Sequence, residues 1–285
     1  MTTKINLVLF QPDTARYKIL DSYLEVIESL RWGLEALGYR CGFMRNRFEH
    51  DAVNIFFGWI PALQMGALES IPANSIFYNL EQMAVGSMRG AVLLEQAAAR
   101  FQIWDYSAAN LANWAELNPR FPVYHAPVAY APTLECVPAG PAEDIDLLYV
   151  GSVSPKRAEK LATASSHNSS LLTLGNVWGA QRDAFIGRAK VLLNVSHDRP
   201  AMNIFEVVRV SYYLANRKAV VCESYPGQHV EADMLATLRF AAAADLGEAC
   251  DALLADAPAR AAYAEAGYEM FRQRDVRAVL RGFFN

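Results

Sequence analysis

Short apolar runs alternate with stretches of helical spacing along the whole chain. Residues 5–10 (INLVLF) are continuously apolar and are closed by Gln11 and Pro12, the pattern of a parallel strand buried on both faces. Ile19, Leu20, Tyr23, Leu24, Ile27, Leu30, Leu34 and Leu37 recur at helical intervals over 18–37, and Gly38 ends the run. Strand patterns follow at 41–44, 53–57 and 75–78. A helix over 88–100 leads to a strand at 101–104, a helix over 107–117 stops before Pro119, and a strand at 123–125 closes this half. Residues 126–143 have no periodicity and carry Pro127, Pro132, Pro138 and Pro141, the composition of an interdomain linker.

The alternation then restarts. Strands are expected at 145–150, 171–174, 191–195, 219–222 and 239–240. Helices are expected after Ser154 and over 180–188, 204–215, 245–255 and 258–273, with a further helical piece to the C-terminus. Such β-α-β repetition predicts an α/β chain with two doubly wound parallel sheets and right-handed crossovers. The expected boundaries are an N-terminal domain at 1–128, a linker at 129–143, a second domain at 144–257 and a C-terminal helical segment at 258–285. The expected ligand site is a cleft onto which the carboxyl ends of both sets of strands open.

Composition narrows the class of protein. The 285 residues suffice for two domains, each with its own core. A net charge of −4 argues against a nucleic-acid partner, which calls for a basic face. No apolar stretch reaches the roughly 18 residues of a membrane span, and the first run is too short for a signal peptide. Cys41, Cys136, Cys222 and Cys250 are far apart and form no CxxC pair, so neither a zinc site nor a disulfide framework is expected, and a reducing cytoplasm is.

Candidate chemistry sits where strands end. After the strand at 145–150 come Gly151, Ser152, Ser154, Pro155, Lys156 and Arg157. A glycine admits a close ligand, Pro155 suits a first helical turn, and helix-start N–H groups with Lys156 and Arg157 suit a diphosphate. The same residues also make an ordinary strand-to-helix turn with a solvated basic pair. After the strand at 191–195 come His197, Asp198 and Arg199, then a helix expected to open near Asn203 and to present Glu206 in its first turn. There Glu206 either suits the helix dipole or accepts hydrogen bonds from a ribose diol. In the first half, the strand at 75–78 delivers Asn79, Glu81 and Gln82, and Glu81 is the candidate base for an acceptor hydroxyl. Gln11, Asn79 and Gln82 are acceptor-side candidates, while Asp105 and His125 read as structural. Asp144 and Asp146 have the form of a metal motif but lie at the start of their strand, away from the ligand edge, so no metal is expected. Arg272, Arg274, Arg277 and Arg281 among apolar residues make a basic amphipathic segment, of the kind that packs on the first domain or touches an anionic membrane.

The runs VGS…S-P-K-R…L, A-K-V-L-L-N-V-S and F-E-V-V-R-V…L-A-N…A-V-V-C-E, over residues 144–224, resemble the C-terminal half of GT-B glycosyltransferases, the group-1-like and CgeB-type members above all. The resemblance implies two Rossmann-like domains facing a cleft, a nucleotide-sugar donor in the second domain, and transfer to an acceptor hydroxyl in glycan biosynthesis without a metal. By that similarity Gly151, Ser152, Lys156 and Arg157 hold the diphosphate, Glu206 holds the ribose, and Asn203 lies near the phosphates, with His197 facing the donor. Many retaining members carry Glu-x7-Glu; the earlier position here is Asp198, which leaves the stereochemical outcome open. The acceptor, whether glycan, lipid-linked or small molecule, is not identified by the resemblance. Rival readings are a GT-B-like chain that binds nucleotide or sugar without turnover, and a nucleotide-dependent oxidoreductase. The oxidoreductase is disfavoured because the first strand ends in Gln11-Pro12-Asp13 rather than a GxGxxG turn. An exported two-lobed binding protein is disfavoured by the lack of an export signal.

Overall fold

The computed structural model describes residues 3–83, 88–138, 140, 142–165, 169–196 and 203–284. The chain divides into two compact units, Met1–Ala131 with Asp275–Asn285, and Pro132–Arg274. The division falls inside the Pro-rich stretch and again just before the last helix.

Unit 1 runs β1 (Lys4–Leu9), α1 (Leu24–Ala36), β2 (Arg40–Arg45), β3 (Val53–Phe57), α2 (Trp59–Gln64), β4 (Ile76–Asn79), α3 (Met88–Arg100), β5 (Gln102–Asp105), α4 (Ala108–Glu116) and β6 (Val123–His125). Its six strands lie in the order β2-β1-β3-β4-β5-β6, and every pairing is parallel. Central strands are largely apolar, as in parallel sheets covered on both faces; Asn6 of β1 and Asn54 of β3 are buried exceptions, and Asn6 Nδ2 donates to Asn54 Oδ1 at 2.9 Å. Val8, Phe56, Phe77, Phe101, Ile103 and Trp114 form one core cluster. Each such side chain taken from water contributes about 1.5–3 kcal/mol.

Unit 2 runs β7 (Ile145–Val150), α5 (Pro155–Ala164), β8 (Leu171–Leu174), α6 (Gly179–Arg188), β9 (Ala189–Asn194), α7 (Val207–Ala215), β10 (Ala219–Glu223), α8 (Ala232–Thr237), β11 (Arg239–Ala241), α9 (Leu246–Ala255) and α10 (Ala257–Arg272). Its strand order is β11-β10-β9-β7-β8, again all parallel. Leu147, Tyr149, Val191, Leu193, Val221, Leu246 and Leu253 pack as its core.

The final helix, α11 (Val276–Arg281), belongs to unit 1. It lies against α1 at Gly33, where an added Cβ would stand 2.7 Å from both Val276 and Leu280 side-chain atoms. Beyond it, Phe283 stacks on Trp104 at 4.3 Å between ring centroids. α10, the first part of the segment expected at 258–285, stays with unit 2.

Four helices differ from the expected pattern. The helix expected over 18–37 is 3-10 from Lys18 to Tyr23 and α-helical only from Leu24. The Tyr17 carbonyl is taken there by Leu20 N at 3.0 Å and by Gln11 Nε2 at 2.9 Å, which tightens the turn. The helix expected over 204–215 starts only at Val207. Residues before it are extended: Ile204 bridges His229, His229 N donates to Asn203 O (2.7 Å), and Phe205 N donates to His229 O (2.9 Å). Glu206 is therefore the N-cap of α7 and not part of its first turn. The short helices α2 and α8 have too few residues for periodicity to show.

Candidate functional site

Each sheet reverses its strand order beside its first strand, between β1 and β3 in unit 1 and between β7 and β9 in unit 2. Ligands of open parallel sheets bind at the carboxyl ends of the strands next to such a reversal. In unit 2 that point is Gly151, after β7, and Asn194–Ser196 at the end of β9, and of the candidates Arg157 and Glu206 meet beside it.

Gly151 has φ +149°, a conformation that favours glycine. A Cβ at this position would meet Tyr149 Oη at 2.9 Å and Arg209 Nη2 at 3.1 Å. The expected open space over the glycine is thus occupied by two of the chain's own side chains. Ser152 and Lys156 are exposed on the turn. Ser154 caps α5 by accepting from Arg157 N (3.2 Å), and Pro155 fills the first helical position.

Arg157 is not a solvated partner of Lys156. It is 2% exposed, and it donates to Ser152 O (2.8 Å), Ser196 O (3.3 Å) and Glu206 Oε1 (3.0 Å). The other Glu206 oxygen pairs with Arg209, whose Nη1 also donates to Asn194 Oδ1 at 3.0 Å. Both guanidinium groups stand by the Tyr149 ring, at 5.5 and 5.3 Å from its centroid. Burial pushes the Tyr149 hydroxyl upward, so it stays a phenol. Burial works against the charge on Arg209, but Glu206 together with Tyr149 and Tyr213 outweighs it and raises its pKa. The cluster sets two arginines against one carboxylate and leaves a net positive charge at the edge of the sheet.

Behind it lies a second ion pair. Glu223, at the end of β10, is buried and accepts from Lys160 Nζ (2.6 Å), Ser196 N (2.8 Å) and Ser196 Oγ (2.7 Å). This holds the exit of β9 in place. Asn203 stands four residues before α7 and donates to Gly227 O (3.0 Å), so its side chain is turned to a neighbouring loop rather than to a helix start. His197 and Asp198 lie outside the described residues.

In unit 1 the polar residues at the strand ends form two networks. Gln11 is buried; its Nε2 donates to Tyr17 O (2.9 Å) and Asp21 Oδ1 (3.2 Å), while Arg45 donates to its Oε1. Its side chain is thereby committed internally. The second network centres on Asp105, fully buried at the end of β5. Asp105 accepts from Asn79 Nδ2 (2.7 Å), Asn110 Nδ2 (3.0 Å), Trp114 Nε1 (2.7 Å) and Ser107 N (2.8 Å). Burial raises its pKa in spite of these donors. Asn79 and Asn110 then hold the Glu81 backbone: both donate to Glu81 O (2.9 and 3.0 Å), and Glu81 N donates to Asn79 Oδ1 (3.1 Å). The buried Tyr23 hydroxyl donates to Glu81 Oε1. Burial, with the Glu81 charge, pushes the Tyr23 pKa well above its ordinary 10.0, so it remains a donor. Gln82 follows, half-buried. Asn79 and Gln11 thus support the edge from within, while Glu81 is the carboxylate the network presents.

Asp144 and Asp146 are held by Arg188 (2.7 and 2.6 Å) and Lys190 (2.7 Å) at the opposite edge of the unit 2 sheet. No group of three or more His, Cys, Asp or Glu among the described residues is arranged to hold a metal ion. Sequence reasoning missed Arg209, Lys160 and Tyr23. Arg209 carried one signal, its i+3 spacing from Glu206; Tyr23 looked like any other core position of a helix.

No family model matches the sequence. The chain is 27% identical over 155 residues to an uncharacterised protein of Acanthamoeba polyphaga mimivirus, a match covering 53% of this chain and 49% of that protein. The chain thus spans about half the length of the curated relative it matches. Solved structures match over nearly the whole chain. HepE of Anabaena, in complex with UDP and glucose, superposes with a TM-score of 0.64 at 12% identity, covering 98% of each chain. Sucrose-phosphate synthase of Thermosynechococcus elongatus gives 0.64 at 11% identity over 99% of this chain and 98% of that one. AviGT4, a glycosyltransferase of avilamycin A biosynthesis, gives 0.59 at 13% identity over 99% and 96%. This is the GT-B fold. In this GT-B chain both parallel sheets and their flanking helices are matched, as the apolar periodicity of the two halves implied. No helix among the described residues is long and apolar enough to cross a membrane.

Proposed function

We propose that the protein is a glycosyltransferase that moves a sugar from a nucleotide-sugar donor to an acceptor hydroxyl. One observation carries the reading: the switch point of the unit 2 sheet gathers a tight glycine turn, the start of α5 and two arginines sharing one carboxylate. Positive charge concentrated there stabilises a diphosphate as it leaves. The fold likeness supports it, since HepE was solved with UDP-glucose and with UDP. In this reading Gly151, Ser152 and Lys156 line the diphosphate, the buried Arg157 acts on it through its charge, Glu206 takes the ribose, and Asn203 and His197 flank the donor. Cations and backbone donors do the work of a metal, so transfer proceeds without one. In unit 1, Glu81 accepts the proton of the acceptor hydroxyl. Four cysteines carried as free thiols suit a reducing, cytoplasmic setting.

The test is thermal stabilisation by UDP, GDP, dTDP, CMP and their sugars, followed by nucleotide release with EDTA present. Stabilisation by one nucleotide family and EDTA-resistant release are expected. Stabilisation by none of them overturns the reading. A second reading, a nucleotide-binding protein without turnover, draws on the filling of the space over Gly151 by Arg209 and Tyr149. Binding without nucleotide release in the presence of acceptors would select it.

A further inference from the structure

Both oxygens of Glu206 are engaged. One is taken by Arg157 at 3.0 Å and the other by Arg209. The two arginines are not held alike. Arg157 is anchored by two backbone carbonyls besides Glu206, and its side chain is 2% exposed. Within the described residues Arg209 has Asn194 Oδ1 and the Tyr149 hydroxyl as its other partners, no backbone carbonyl among them, and its side chain is 22% exposed. Its Nη2 stands over Gly151, in the space where the glycine turn would meet an anion. Glu206 is held by Nη1 of the same guanidinium, and a carboxylate and a phosphate oxygen compete for that one group's charge and its fork of donors.

We infer that Glu206 is a built-in counter-anion for Arg209, and that an incoming diphosphate replaces it there while Arg157 keeps its hold. The exchange leaves Glu206 on Arg157 through Oε1 and releases Oε2. That oxygen then has all its acceptor capacity for a ribose hydroxyl, where before exchange part of it is taken by Arg209. The inference rests on the donor reading of this edge but makes its own demand: the carboxylate opposes binding of the bare diphosphate and favours the nucleoside part. Glu206 thereby discriminates against free diphosphate. No covalent bond forms or breaks; one ion pair replaces another.

The test uses inorganic pyrophosphate, titrated calorimetrically into the full chain. Glu206→Gln is expected to bind pyrophosphate about tenfold more tightly than wild type, the scale of one charge-assisted hydrogen bond. Arg209→Gln is expected to bind it about tenfold more weakly, and adding Glu206→Gln to Arg209→Gln should then gain little. Unchanged or weaker pyrophosphate binding by Glu206→Gln overturns the inference. If that variant does not fold, the Arg209 Nε–H resonance of the wild-type protein decides. A shift on saturation with pyrophosphate supports the exchange, and a stationary resonance overturns it. Failure of the donor reading is separate: pyrophosphate behaving as described while no nucleotide-sugar binds sinks that reading and leaves the exchange standing.

Discussion

Arg157 and Glu81 show how much structure is spent on single side chains. Arg157 is a buried cation whose charge is met by Glu206 and two of whose other donors find carbonyls. Removing Arg157 takes away a hydrogen bond to a charged group, a loss of about 1.5–3 kcal/mol, while Glu206 keeps Arg209 as its counter-charge. Arg157→Gln is therefore expected to lower the urea unfolding free energy by that order. Glu81 is held through its backbone by Asn79 and Asn110 and through its side chain by Tyr23. Tyr23→Phe removes one hydrogen bond to a charged group, a loss of about 1.5–3 kcal/mol where the bond is fully made. If Glu81 is the base, Tyr23→Phe should lower kcat with little change in KM for the donor, and Glu81→Gln should lower it further. Turnover by Glu81→Gln at the wild-type rate would remove Glu81 from the chemistry. Asp233 offers a pH readout. Burial opposes its charge, but the hydrogen bond and charge of Arg274 outweigh burial and hold its pKa below the ordinary 3.8. A depressed pKa gives stability that is present above the unfolded value and lost as pH falls through the folded one. Urea unfolding between about pH 5 and pH 2 should therefore show Asp233→Asn converging on wild type.

Among the elements, α11 is the one whose place depends on a contact rather than on its own sequence. It has six residues, too few to be stable alone. What holds it is Asp275, which caps it by accepting from Arg277 N (2.8 Å), and the seating of Val276 and Leu280 on Gly33 of α1. A valine at 33 would drive its branches into both. Gly33→Val is expected to destabilise unit 1 by about 1–3 kcal/mol through overpacking, read as a lower urea midpoint. The start of α7 makes the same point in reverse: the apolar spacing continues through Ile204 and Phe205, but their backbones pair with the segment at His229, and the helix waits until Val207.

On the scale of the whole molecule, each unit buries its own core, and the last residues of the chain complete the first unit. Ending the chain at Arg274 would remove α11 and the Phe283 ring from Trp104. Unit 1 should then melt at a lower temperature while unit 2 keeps its transition, a separation that calorimetry resolves. A single transition shifted as a whole would contradict independent cores.

The sequence by itself determined the elements that lie in the sheets. Strands β3, β6, β7 and β8 and helix α3 were legible to the residue, because their strand or helical spacing is local and is bounded by Gly, Pro or polar residues. The positions of Gly151, Lys156, Glu206 and Glu81 at strand ends and helix starts were legible for the same reason. What those side chains touch was decided only by the tertiary structure. Whether Arg157 is solvated or buried depends on Ser196 and Glu206, 39 and 49 residues further along the chain. Whether Gln11 faces a ligand or its own unit depends on Arg45. Periodicity reports which face of an element is buried; it carries no record of which charges meet when strands distant in sequence end side by side.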